Sequence, residues 1–371
     1  MLVGAPKEIK DHEYRVGLVP ATVRELVAHE HRVIVETNAG GGAGIPDREY
    51  AAAGAEIVPD AAMVFDRADL VVKVKEPLKD ERKRLRRGQI LFTYLHLAPD
   101  RAQTEALMAA GATAIAYETV TDSAGRLPLL TPMSEIAGRM APQIGAHLLE
   151  KTSGGRGILL GGAPGVASGE VLILGSGVVA TNAALIAVGM GADVTVVGRN
   201  PDSLRQMGDR FGARVHTAFS TREAIEALCR RADLVVGTAM SRGGRAPKLI
   251  GADTVKAMKT GAVIIDVSID QGGVAETSRP TSHSQPTFVV DGVIHYCVPN
   301  IPGAVARTST FALNNATLPY VVALADKGLR ALAEDRGLRE GLNVHGGRVT
   351  YRAVADALGL PYVPAEQALK G

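Results

Sequence analysis

A chain of 371 residues with 46% hydrophobic content exceeds the size at which one core stops growing, so two domains are expected. Its 41 basic and 39 acidic residues leave a formal net charge of +2, which excludes a field able to gather nucleic acid or draw the chain onto an anionic membrane and points to a small-molecule partner. Cys229 and Cys297 are the only cysteines and lack metal-ligand spacing; no disulfide framework or metal site is expected, and both read as buried small hydrophobes.

The opening MLVGAPKEIKDHEYRVGLVP carries charges where a signal peptide needs an apolar core, and no apolar run reaches membrane-spanning length, so a cytoplasmic protein without a membrane partner is expected. LVGAP, HRVIVET, DLVVKVKEP and QILFTYLHL read as strands, alternating with helical runs such as TVRELVAHE and RAQTEALMAAG. That alternation predicts an α/β fold with parallel sheets covered by helices. NAGGGAG, from Asn38 to Gly44, is a loop. The charge run KDERKRLRRGQ from Lys79 lacks interleaved aromatics and reads as a solvated helix face rather than a nucleic-acid patch.

A long helix bridging two domains is predicted from about Thr131 to Thr152, with Thr131 and Ser134 as start signals. GGRGILLGGAPGVASG is too rich in glycine for a packed helix and reads as a loop over a site. Apolar periodicity returns from about Thr308 to Ala333, which carries the chain back into its first domain. The expectation is two Rossmann-like, doubly wound domains, the first discontinuous. Residues 1–130 plus 305–371 form a substrate and catalytic domain, and 131–304 a dinucleotide-binding domain.

The strongest motif is VLILGSGVVATNAALIAVGMGADVTVV, which places Gly175, Gly177 and Ala180 at the G-x-G-x-x-A positions between strand and helix. Gly175 permits the tight turn, Gly177 lets backbone approach a pyrophosphate, and Ala180 lets helix pack on strand; Val178 and Val179 open the helix that faces the anion. Further strands, DLVVGT and AVIIDVSID, follow in register. The second strand ends in Val197, Gly198, Arg199 and Asn200, where an acid would normally accept the ribose hydroxyls. Arg199 either pairs with a ribose phosphate, which favours NADP, or stacks over adenine as a solvated loop residue. Both NAD and NADP stay open on these residues.

Reduction of a small oxo acid needs a cation for its carboxylate and a titratable group near the reacting carbon. Lys73 and Lys75 alternate along LVVKVKEP and so share a face with Val71, although a strand-end lysine by itself reads as solvent-exposed. His96 in YLHLA by itself reads as a satisfied core histidine, and Arg15 in HEYRVGLVP is equally bland.

Taken together, PKEIKDHEYRVGLVP, VVKVKEP, YLHLA, RGILLGGAPGV, the glycine turn, IDVSIDQGG, SRPT, CVPNIPGAVARTST and NATLPYV resemble the alanine dehydrogenase family, which includes the transhydrogenase N-terminal relatives, from end to end. The resemblance implies reversible conversion of L-alanine to pyruvate and ammonium with hydride transfer to NAD, NADP being possible, in a homohexamer. It implies that Arg15 and Lys75 hold the pyruvate carboxylate and carbonyl, Met133 lines the methyl pocket, His96 is the acid/base, and Asp270 reaches toward the attacking amine. Asp266 is an alternative to Asp270 whose bland reading is a structural hydrogen-bonding role. Nicotinamide contacts are implied for Ser134, Val267 and Asn300, adenosine-side contacts for Ser220 and Arg279, and further cofactor contacts for Gly198, Arg199, Ala239 and Val298. Three departures from the family pattern stand out: Ala180 for the third glycine, no acid at Gly198, and the SRGGR loop from Ser241. Rival readings are a dehydrogenase of another small amino acid with NADP preference, a soluble transhydrogenase-like component, and a non-catalytic dinucleotide sensor. Lys75 and His96 argue against the second; these two with Arg15 and Asp270 argue against the third.

Overall fold

Short apolar runs separated by helices assemble into two parallel-dominated sheets. The computed structural model describes residues 1–240 and 245–370, which fall into two compact units, Met1–Met133 with Val305–Gly371 and Ser134–Ala304. The strands of the first stretch are β1 (Leu2–Ala5), β2 (Arg32–Glu36), β3 (Glu56–Val58), β4 (Leu70–Val72), β5 (Ile90–Thr93) and β6 (Thr113–Ala116). The second unit supplies β7 (Glu170–Leu174), β8 (Asp193–Gly198), β9 (Val215–Phe219), β10 (Leu234–Gly237), β11 (Val263–Asp266), β12 (Thr287–Val290) and β13 (Val293–Tyr296). The chain ends with β14 (Leu342–His345) and β15 (Arg348–Val349).

In the first unit the strand order is β3-β2-β1-β4-β5-β6-β14-β15, parallel from β1 to β6, with β14 and β15 antiparallel at the edge. The second unit runs β9-β8-β7-β10-β11-β13-β12, parallel except for the edge strand β12. Each order reverses beside its first strand, as in doubly wound sheets. Because β14 and β15 come from the C-terminal segment, the first fold is discontinuous, as the returning apolar periodicity predicts. Its core packs Ile34, Val71, Leu91 and Val344 against Phe65, Leu107 and Leu358; each such buried side chain contributes about 1.5–3 kcal/mol. The second core includes Leu172, Val235 and Ile264, with Cys229 fully buried among them as expected, and Cys297 is buried too.

Two expectations fail locally. DLVVKVKEP is a strand only through Val72, so Lys73 and Lys75 do not stand on one strand face. Gly17 explains the change: a Cβ there would lie 2.4 Å from the Val72 carbonyl oxygen, so the RVGLVP loop rests directly on the backbone where the strand stops. The KDERKRLRRGQ run is helical only over Lys79–Arg82, and Glu81 in it is buried, not solvated. By contrast the predicted long helices form, as Thr131–Leu148 and Ala306–Lys327. The second of these holds the Gly17 loop. Val19 N–H donates to Asn314 Oδ1 (2.9 Å), and Asn314 Nδ2 donates to the Val16 carbonyl (3.3 Å).

Gly17→Ala is expected to lower stability by about 1–3 kcal/mol, because a methyl must displace backbone rather than a pliable side chain. A thermal melt within a degree of the parent would show that the close approach does not constrain the loop.

Candidate functional site

The Gly17 loop delivers Arg15 into the interior of the first unit, where the side chain is only 1% exposed. A buried guanidinium needs a counterion, and Glu13 supplies it through two bonds, Nε to Oε1 (2.7 Å) and Nη2 to Oε2 (2.6 Å). Burial works to raise the Glu13 pKa, but the hydrogen bonds and charge of Arg15 hold its carboxyl below the usual range. Arg15 Nη1 lies 3.0 Å from Met133 Sδ. Arg15, Lys75 and Met133 thus gather in one unit: Lys75 is half-buried, and burial first, then the Arg15 charge, push its ammonium pKa below that of an ordinary lysine. Its neighbour Lys73 is different. It is wholly buried and bonded to Glu8 and Glu81.

His96 follows β5 and is exposed, not a core histidine. It adopts a left-handed backbone (φ 49°), a conformation that is uncommon for a residue with a Cβ and that the surroundings must hold. Glu118 does so by accepting the backbone N–H groups of His96 (2.6 Å) and Leu95 (3.2 Å), and its Oε1 lies 3.8 Å from His96 Nδ1. The imidazole lies parallel to the Tyr94 ring, centroids 6.0 Å apart, and Tyr94 is anchored by its hydroxyl to the Leu129 carbonyl.

In the second unit, β7 leads through Gly175 to the helix Val178–Gly189. Gly175 has φ 125°, and a Cβ there would meet Thr238 Oγ1 at 2.4 Å; at Gly177 a Cβ would meet nothing within 4 Å. The helix has no side-chain cap at Gly177, Val178 is exposed, and Ala180 is fully buried. An open cradle above an uncapped helix start suits a pyrophosphate, so these residues fit a dinucleotide. At the end of β8, Gly198 is buried, Arg199 is exposed, and Asn200 caps the next helix by accepting from Asp202 and Ser203 N–H. Ser220 N–H bonds the Gly198 carbonyl (2.9 Å), which brings these two positions together.

Arg279 packs over Phe288 of β12, an edge strand of the same sheet. Ala239 follows β10 and is half-buried, Ser134 and Val267 are half-buried, and Val298 is buried. Asn300 has φ 63°, and its carbonyl meets His283 Nε2 at 3.2 Å. Asp270 is exposed on the turn after β11, whereas Asp266 is buried and accepts from Ser268 N–H, Val274 N–H and the Ser278 hydroxyl. These bonds give Asp266 a structural role in the turn after β11. Ser241 to Gly244, most of the SRGGR loop, lie outside the described residues.

Residues 4–137 match the family model described as the alanine dehydrogenase/PNT N-terminal domain, and residues 141–352 match its C-terminal domain. The chain belongs to the alanine dehydrogenase/PNT family. Within that family it is 57% identical to alanine dehydrogenase of Halomonas elongata, over 98% of this chain and 99% of that one. Identity to the Bacillus subtilis alanine dehydrogenase is 54%, over 100% and 98%. A solved L-alanine dehydrogenase superposes with a TM-score of 0.95 at 53% identity, covering 97% of this chain and 99% of that one. A solved transhydrogenase from Sinorhizobium meliloti, at 23% identity and a TM-score of 0.82 over 95% and 100%, shares the fold.

Glu8, Glu13 and Glu118 were invisible as site residues in the sequence. Only their proximity to Arg15, Lys75 and His96 marks them, and for Glu13 the two-residue spacing to Arg15 was the available signal. Glu13→Ala removes the carboxylate that takes two bonds from the buried Arg15, so unfolding free energy should fall by about 3 kcal/mol. The exposed pair Glu56–Arg67 is the control. Equal urea midpoints for Glu13→Ala and Glu56→Ala would show that Glu13 is not a buried counterion.

Proposed function

We propose that this chain is an L-alanine dehydrogenase that reversibly deaminates L-alanine to pyruvate and ammonium with NAD as hydride acceptor. The observation that carries the reading is the buried arginine beside a half-buried lysine and a methionine, in a family member with an open dinucleotide turn. Residues 1–130 plus 305–371 are assigned the substrate role and 131–304 the dinucleotide role.

With Glu13 on the Nε/Nη2 edge of Arg15, the substrate carboxylate is assigned to the Nη1 side, where Met133 meets the methyl group. Lys75 faces the carbonyl oxygen. Its lowered pKa makes its ammonium a stronger acid and a better hydrogen-bond donor to an oxygen that gains negative charge as ammonia adds. His96 gives the proton that lets water leave the carbinolamine and recovers it in the reverse direction, and Asp270 steadies the amine. NAD, when bound, takes the hydride; the turn from Gly175 to Ala180, with Val178 and Val179, is assigned to its pyrophosphate, and Ser134, Ala239, Val267, Val298 and Asn300 to the remaining contacts. Ser220 and Arg279 are assigned to its adenosine side. Cytoplasmic residence and a homohexamer belong to the same proposal and rest on family membership.

NADH oxidation followed by absorbance in pyruvate plus ammonium tests the activity directly; a chain that leaves NADH unchanged with pyruvate, and with other small 2-oxo acids, is no amino-acid dehydrogenase. His96→Ala should cost at least about a hundredfold in turnover while the fluorescence-measured affinity for NADH stays within twofold. Arg15→Lys should raise the Michaelis constant for pyruvate, since a compact ammonium cannot reproduce the planar fork with which a guanidinium holds Glu13 on one edge and aims N–H groups from another. At the ribose end, Arg199→Ala should weaken NADPH more than NADH in fluorescence titrations; equal effects on both would leave Arg199 as a solvent-facing or adenine-stacking residue.

A further inference from the structure

Lys73, Glu8 and Glu81 form a buried ionic triad in the first unit that the chemistry above does not use. Lys73 is 0% exposed, Glu8 5% and Glu81 4%. Lys73 Nζ donates to Glu8 Oε2 (3.2 Å) and Glu81 Oε1 (2.8 Å). One cation between two carboxylates is an expensive way to fill a core, because apolar residues of the same volume would commonly be at least as stable. Its purpose lies in the bonds it makes to the backbone.

Glu8 Oε1 accepts the N–H groups of Val74 (2.6 Å) and Lys75 (3.2 Å). On the other side, the hydroxyl of Thr93, fully buried at the end of β5, donates to the Lys75 carbonyl (2.9 Å). The irregular segment after Val72 is thereby held at both polar groups of one residue, and that residue is Lys75. Glu81 completes the frame: its Oε2 accepts the Leu78 N–H (2.7 Å) and so fixes the downstream end of the same loop.

We propose that Glu8 and Thr93 are positioning residues for Lys75, with Lys73 as the buried counterion that fixes the Glu8 carboxylate. The inference rests on the reading of Lys75 as the carbonyl-facing group. A lysine has a long, flexible stem, so its reach is set by where its backbone is pinned, and a misplacement of the order of an ångström is enough to cost a large factor in rate. Glu8 suits the task because a carboxylate accepts on both oxygens at once, from Lys73 on one and from backbone on the other. A glutamine cannot: whichever way its amide turns, an –NH2 faces another donor.

The experiment compares Glu8→Gln, Thr93→Val, Thr93→Ser and Lys75→Ala in the full-length protein, reading kcat and the Michaelis constants for pyruvate and NADH together with NADH affinity and thermal midpoint. Glu8→Gln and Thr93→Val are expected to lower kcat by about tenfold or more, with NADH affinity within twofold of the parent. Thr93→Ser, which keeps the hydroxyl, should recover most of the Thr93→Val loss. Unchanged kcat in Thr93→Val, with Lys75→Ala inactive, would overturn the positioning role while leaving the assignment of Lys75 intact. Full activity in Lys75→Ala would overturn that assignment and this inference with it. If Glu8→Gln does not fold, the two Thr93 variants decide alone, and equal losses in Thr93→Val and Thr93→Ser that track the thermal midpoint would reduce both residues to structural parts.

Discussion

The close contact of the Gly17 loop with the end of β4 is the constraint on which the first unit's chemistry depends. Toward β5 the ladder continues past Val72, since Lys73 N–H bonds the Phe92 carbonyl and Tyr94 N–H bonds that of Val74. Toward the other side, the place of a strand is taken by Gly17, whose missing side chain lets backbone lie on backbone. Arg15 and Lys75 come from segments sixty residues apart in the chain, and this contact sets both. An Arg15 guanidinium and a Lys75 ammonium repel, so neither would choose this neighbourhood unless the backbone and the carboxylates of Glu13 and Glu8 imposed it. The repulsion is useful chemically, because it helps lower the lysine pKa toward that of an effective acid.

The discontinuous fold follows from the same need. The Gly17 loop offers backbone groups that no neighbouring strand can satisfy, and buried backbone polar groups must find partners. Asn314, on the helix Ala306–Lys327 from the far end of the chain, donates to Val16 and accepts from Val19. Tyr50 adds a third clamp with its hydroxyl on the Leu18 carbonyl (2.9 Å). A chain that left the first unit after β6 and never returned would leave Val16 and Val19 unpaired beside Arg15.

The legibility of the sequence divides along a physical line. Elements whose signal is local were readable: the glycine turn after β7, the two long helices, and the parallel α/β pattern all depend on residues close in the chain. Lys73 and Lys75 show where this stops. Both look like strand-end lysines, yet one is a buried counterion and the other half-buried beside Arg15, and the difference is made by Glu8, Glu81 and Gly17, which periodicity cannot see. His96, taken by itself, reads as a core residue for a related reason. Its exposure and left-handed backbone are held by Glu118, a carboxylate on the turn after β6. Asp266 and Asp270 were separable in principle, because an acid in the last position of a buried strand needs internal donors, and the loop after β11 provides four of them to Asp266.

The end of β8 carries the argument to cofactor choice. Asn200, the one amide side chain at this strand end, has its oxygen committed to the cap of the helix Pro201–Phe211, so it is a poor substitute for a carboxylate that would accept both ribose hydroxyls. Gly198 is not simply empty space awaiting an acid: a Cβ would lie 2.8 Å from Ser176 Oγ and 3.0 Å from Leu204 Cδ2, so a carboxylate at this position requires Ser176 and Leu204 to shift. Beside Gly198 stand Ser220, bonded to its carbonyl, and the exposed cation of Arg199. On the proposed assignment, the pyrophosphate cradle at Gly175 and Gly177 holds NAD without reading the ribose. A nucleotide with a phosphate on that ribose would meet a positive charge where an acid would repel it. With Arg199 assigned to that ribose, as proposed, discrimination against such a nucleotide has to come from shape rather than charge.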